Sequence, residues 1–195
     1  MAAFRIAVVI SFSLFCLTCN LFETREPEEP SQTSFNYVPA TVPSIVLSNL
    51  QNAIAQKSIE NYISNFSDSA VTNRRFTFMG SPEASVQYPN IRSWSYTDER
   101  EYFQNLIANA IANGFSSLLL TATDSSITAD EANYDFDYIF TFEHTDPGFP
   151  TNTARGHLQF IMATDQSGIW TIYQWSDSKT TEDITWSSFK GKFGN

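Results

Sequence analysis

Residues 133–144 read NYDFDYIFTFEH and alternate without a break. Tyr134, Phe136, Tyr138, Phe140 and Phe142 fall on one side, and Asp135, Asp137, Ile139, Thr141 and Glu143 on the other. Successive strand side chains point to opposite faces, so this period of two predicts a strand with an aromatic inner face and a polar outer one. Three more strand-like runs surround it: Phe115 to Ala122, Ala154 to Thr164 and Gly168 to Trp175. The breaks at Asp146-Pro147-Gly148 and Asp165-Gln166-Ser167-Gly168 predict antiparallel connections between them.

Before Gly114 the period is helical. Val46, Leu50, Ala53 and Ile54 form one apolar stripe that Ser44 or Thr41 is placed to cap. Lys57-Ser58 interrupts the pattern, and Ser58 is placed to cap a second segment carrying Ile59, Tyr62, Ile63 and Phe66, either as two helices or as one bent helix. Arg75 to Met79 suits a short strand, and residues 80–96, with Pro82 and Pro89, read as irregular. A helix over 98–113 follows, with Tyr102, Phe103, Leu106, Ile107, Ala110 and Ile111 on its apolar face. Asp98, Glu99 and Glu101 sit in its first turn, where the helix dipole favours anions, and Gly114 is placed to end it. Trp186 to Phe193 adds a closing helical turn, with Trp186 expected to pin it to the sheet. Helices first and then a meander of long strands mean an α+β architecture with helices on one sheet face.

The composition can fill such a core. The chain of 195 residues is 42% hydrophobic and 15% aromatic, with 17 Phe, 8 Tyr and 4 Trp. Its formal charge of −10 argues against a phosphate-binding surface, and so against nucleic acid as a partner.

Residues 1–18 read as an export signal: Arg5 is their only charge, and Ile6 to Thr18 is an uncharged, mostly apolar run. That run falls short of the roughly 20 residues that span a bilayer but suits the apolar region of a signal peptide. With Leu17-Thr18-Cys19 the segment resembles a bacterial lipoprotein precursor, whose signal is cut before a cysteine that becomes acylated. Two positions depart from the usual pattern, Cys16 in place of Leu and Thr18 in place of a smaller residue. The resemblance implies lipidation at Cys19 and anchoring in a bacterial cell envelope. The only cysteines are Cys16 and Cys19, which leaves no disulfide framework and no thiolate metal site. Residues 19–43 are expected to be a tether, acidic and with prolines at 27, 30, 39 and 43, in which Phe35, Tyr37 and Val38 can lie on the domain as a strap. The folded domain is expected over 44–195.

Within that span the order of elements, closing with Gly168-Ile169-Trp170-Thr171-Ile172-Tyr173-Gln174-Trp175-Ser176-Asp177, resembles the NTF2-like family. The resemblance implies a cone in which a curved antiparallel sheet wraps around N-terminal helices and a third helix. Relatives of this fold include isomerases and cyclases with an Asp or His inside the cone as general acid or base. A cystatin-like helix on a sheet is the rival, but it leaves the helix at 98–113 unexplained.

No nucleotide-binding glycine loop, serine nucleophile elbow or HExxH is present. His144 and His157 both fall in predicted strands; His144 is expected at a strand end in solvent, and His157 on the polar face beside Arg155 and Gln159. Asp135 and Asp137 alternate with the aromatics and so belong outside the cone. Asp177 is placed to cap a turn or to pair with Lys179 or Lys190. No metal and no cofactor is expected. The candidates for the wall of an apolar ligand pocket are Tyr138, Phe140, Phe160, Trp170 and Trp175, whose strand spacing also suits plain core. The expected function is a non-catalytic, lipid-anchored binding domain for a small apolar ligand or an envelope protein. An enzyme with an acid or base inside the cone and a structural subunit dimerising through its sheet are the alternatives.

Overall fold

The computed structural model describes residues 37–194. The expected signal at 1–18, Cys19 and the expected tether up to residue 36 lie outside the described residues. Tyr37 to Val42 already lie against the domain. Val38 exchanges hydrogen bonds with the Asn49 side chain, and the Ala40 carbonyl accepts from the Trp170 N–H at 2.8 Å.

Helix α1 (Pro43–Gln56) buries Val46, Leu50, Ala53 and Ile54, the expected stripe. Neither Thr41 nor Ser44 caps it. Its N-cap is Val42, which makes no side-chain bond, and Pro43 starts the helix, having no N–H to leave unsatisfied. Lys57 closes it in the left-handed conformation, at φ 54°, and Ser58 then caps the short helix α2 (Ile59–Ile63). The helical segment is therefore two helices.

Strand β1 (Thr77–Met79) follows. The region read as irregular is helix α3 (Pro82–Gln87) and a 3-10 helix (Pro89–Ser93). Both prolines start a helix at a position where proline costs nothing, so they do not act as breakers here. Helix α4 (Tyr96–Ala108) begins with a reciprocal cap in which Ser95 and Asp98 bond each other's backbone N–H. It ends at Asn109, well before Gly114. Ala110 instead bridges to His144, and the Ile111 N–H donates to the Glu143 carbonyl, so the sheet takes these residues from the helix.

Strands β2 (Ser116–Ile127), β3 (Glu131–Phe142), β4 (Thr153–Thr164) and β5 (Trp170–Ser178) form an antiparallel meander, and the sheet order is β1-β5-β4-β3-β2. Strand β1 pairs with β5 in parallel, so the sheet is mixed and not the all-antiparallel one expected. Register shifts at Ala122/Asp124 and at Ile161/Met162 mark bulges, which bend the sheet and increase its twist. The tight turn before β5 places Gly168 at φ 75°, a conformation that costs glycine little.

The aromatic face of β3 points inward as its alternation predicts: Phe136, Tyr138, Phe140 and Phe142 are buried, and Asp137 is exposed. Helix α5 (Trp186–Phe193) lies on this inner face. The Trp186 ring stacks on Phe140 at 4.3 Å and meets Trp175 edge-on at 4.6 Å. Each large side chain buried this way contributes about 1.5–3 kcal/mol over leaving it exposed. Among the described residues, no helix is long and apolar enough to cross a membrane.

Candidate functional site

Two charged residues sit on the apolar stripes of their helices. On α4, Glu99 precedes Tyr102, Phe103 and Leu106 on the buried face. On α5, Lys190 lies among Trp186, Phe189 and Phe193. The helices meet inside the cone, so the two charges are brought together with neither side chain exposed. From the sequence, Glu99 is expected only as one of three acidic residues in the first turn of a helix, favoured there by its dipole. The clue to its burial is its place on the apolar stripe, one turn ahead of Tyr102 and Phe103.

The Glu99 carboxylate accepts from Lys190 on both oxygens, from the Tyr62 hydroxyl on one and from the Trp94 indole N–H at 2.7 Å on the other. The Lys190 ammonium lies in a cage of rings, 3.9 Å from the centroid of Trp175, 4.6 Å from Phe78, 4.9 Å from Tyr102 and 5.5 Å from Trp94. Ring faces attract a desolvated cation, and the bidentate carboxylate supplies the counter-charge. Burial nevertheless dominates: it lowers the lysine's pKa to about 8, against the opposing pull of Glu99 and Asp177.

Asp177, near the end of β5, forms a second buried group. It accepts from the Tyr138 hydroxyl at 2.8 Å, from the Ser187 N–H at 2.7 Å and from the Ser187 hydroxyl. It thus satisfies a buried N–H in the first turn of α5 from a distant strand, while Lys179 pairs with Glu182 and Lys190 with Glu99. Burial raises its pKa above the ordinary carboxylate value, and the four hydrogen bonds from Ser187, Tyr138 and Thr185 oppose the rise. The Tyr138 hydroxyl in turn accepts from the Trp186 N–H at 2.7 Å, and the Trp186 indole N–H donates to the Tyr102 hydroxyl at 2.8 Å. Burial, chiefly, holds the Tyr62, Tyr102 and Tyr138 hydroxyls well above the usual phenol range.

Of the residues singled out as pocket candidates, Tyr138, Phe140 and Trp175 pack around Trp186, and Phe160 meets Trp175 edge-on at 5.2 Å. Trp170 stands apart, at the strand end tied to Ala40. All five are buried.

The histidines divide. His144 is not in solvent. It is buried against Phe149, Phe189 and Phe193, with its Nε2 3.0 Å from the Thr151 carbonyl, because the loop after β3 and helix α5 close over the strand end. His157 lies on the outer face as expected, 3.1 Å from Asp137 and 3.3 Å from Asp135. Among the described residues, no three His, Cys, Asp or Glu side chains are grouped so as to hold a metal.

Chemically, the interior holds two carboxylates and an amine, the raw material of acid–base chemistry. Each is tied to a fixed partner, and Glu99 and Lys190 expose no surface.

No family model matches the chain, and no curated protein matches it. Solved structures do. A conserved protein from Planctomyces limnophilus superposes with a TM-score of 0.54 at 12% identity, covering 69% of this chain and 91% of the other. An NTF2-like superfamily protein from Salmonella enterica gives 0.51 at 15% identity, covering 70% and 87%. A ketosteroid isomerase-like protein from Erwinia carotovora gives 0.50 at 16% identity, covering 75% and 99%. At such identities the likeness is one of fold, and the fold is NTF2-like: α+β, with helices held in a curved five-stranded sheet.

Proposed function

We propose that this chain is a non-catalytic binding module built on the NTF2-like cone, exported and carried on a lipid attached at Cys19. The observation that carries the non-catalytic reading is the saturation of Glu99. Its carboxylate is engaged by Lys190, Tyr62 and Trp94 and is sealed from solvent, which leaves no lone pair facing a substrate. A general acid or base must come within hydrogen-bond reach of the proton it moves, and helix α5 occupies that space. Binding of a small ligand or a partner then falls to the surface of the cone. The anchor is supported by the apolar run ending at Leu17-Thr18-Cys19 and by the absence of any later cysteine.

Incubation of the purified protein with an unsaturated ketosteroid and a panel of enones, followed by mass spectrometry, tests the first part. Unchanged substrates are expected, and turnover that disappears in Glu99→Gln overturns it. Expression in a bacterium with radiolabelled fatty acid tests the second. Label is expected on the wild type and not on Cys19→Ser, and equal labelling or none in both overturns the anchor.

An enzyme remains the second reading, because one observation favours it: an amine held near pH 8 beside two buried carboxylates is a pattern typical of active sites. It requires α5 to leave the cone during turnover, and amide hydrogen exchange of Trp186–Phe193 would then be fast.

A further inference from the structure

Strand β1 pairs with β5 on one side only; on its other side Phe78 bridges to Trp94. A cleft of about 450 Å³ opens over this join, with Arg75 before the strand and Arg92 from the 3-10 helix among its lining residues. Its apolar wall is Phe78, Met79 and Trp94. Phe78 and Trp94 are mostly buried and meet edge to face at 6.1 Å, while Met79 is half exposed. The Trp94 indole N–H is committed to Glu99, so it is not available as a donor to anything in the cleft.

The two arginines are unlike the others among the described residues. Arg74, Arg100 and Arg155 each pair with a carboxylate, namely Glu131, Glu60 and Asp183. Arg75 and Arg92 have no carboxylate partner among the described residues. Arg92 is steadied by its Nε, which donates to the Ser85 carbonyl at 2.9 Å, leaving its terminal nitrogens for another acceptor. In a chain of net charge −10, two guanidinium groups without counter-ions in one cleft make a local exception to the overall field. Guanidinium forks fit carboxylates bidentately, and the adjoining rings and thioether suit a flat or acyl body. The net negative charge of the chain as a whole disfavours polyanions and leaves a monoanion as the fitting charge.

From this we infer that the cleft between Arg75 and Arg92 is a binding site for an amphiphilic monocarboxylate, an aryl or acyl acid whose apolar body lies on Phe78, Met79 and Trp94. The inference rests on the binding-module reading and names its ligand class.

Calorimetric titration of the detergent-solubilised full-length protein with 1-naphthoate tests it. Saturable binding is expected, weakened about tenfold by Arg75→Ala or by Arg92→Ala and lost in the double variant, since each removes a charge-assisted contact. Arg155→Ala, on the outer sheet face, leaves it unchanged. Replacing the carboxylate in 1-naphthalenemethanol costs at least as much as losing one arginine. Absence of saturable binding, equal binding by the double variant, or equal binding of the alcohol overturns the site. Naphthoate recovered chemically altered overturns the non-catalytic reading and leaves the site standing.

Discussion

Glu99 and Lys190, separated by 91 positions in the chain, form an ion pair that neither residue exposes. Taking two charges out of water costs several kcal/mol per ion, which the pair recovers through mutual attraction and the hydrogen bonds around it. Tyr62 and Trp94 satisfy the carboxylate, and Trp175, Phe78 and Tyr102 surround the ammonium. The pair joins α4 to α5 and fills the middle of the cone with the chain's own side chains.

Removing one partner strands the other. Glu99→Gln and Lys190→Met should each lower the unfolding free energy by about 3–5 kcal/mol, and the double variant by clearly less than the sum. Urea denaturation of the four proteins gives the coupling energy, and strictly additive losses would contradict a coupled pair.

The pair also sets an alkaline signature. Because burial holds Lys190 near 8, the unfolded chain carries a proton that the fold lacks between that value and the ordinary lysine value of about 10.4. Stability should therefore rise with pH over this window. The raised tyrosines act oppositely: above their ordinary value of about 10 the fold keeps protons that the unfolded chain releases, and stability falls. Urea midpoints followed from neutral to alkaline pH should rise and then drop, with the rise absent in Lys190→Met.

On the outer face His157 gives the reverse sign near neutrality. Its partial burial pulls the imidazole down, but hydrogen bonds to Asp137 and Asp135 outweigh this and raise it. The stabilisation is complete below the unfolded value near 6.5 and disappears as pH rises through the folded one. Thermal melting between pH 5.5 and 8.5 should show the decline in the wild type and a flatter profile in His157→Gln.

Asp177→Asn tests the mooring of α5. One amide oxygen cannot serve Ser187 and Tyr138 as the carboxylate does, and a buried donor left unpaired costs about 1–3 kcal/mol. A weaker near-ultraviolet circular dichroism signal should accompany the loss, since Trp186 starts the loosened helix. An unchanged spectrum with unchanged stability would refute the mooring.

Gly191→Ala separates packing from propensity. Alanine gains about 1 kcal/mol over glycine in an open helix. Here a Cβ at position 191 would stand 2.3 Å from Cβ and Cγ of Tyr88, so packing decides the sign. A net loss of about 1–3 kcal/mol is expected by guanidinium denaturation.

Local pattern made much of the fold legible. The alternation of β3 predicts which of its side chains line the cone, the stripe of α1 predicts its buried face, and Ser58 predicts the start of α2. Two of the failures share one cause, competition from distant chain. Ala110 and Ile111 continue a helical stripe, yet the bridge to His144 and the bond to Glu143 take them for the sheet. His144 looks like a strand end and is buried because Phe149, Phe189 and Phe193 arrive from elsewhere.

The site divides the same way. That Asp135 and Asp137 stay outside the cone follows from a period of two, which the sequence alone determines because neighbouring strand residues must face oppositely. That Glu99 meets Lys190, and that Arg75 and Arg92 share one cleft, only the tertiary structure decided. Periodicity says which way a side chain points from its own element, while the charge it finds there depends on how remote elements are laid across one another.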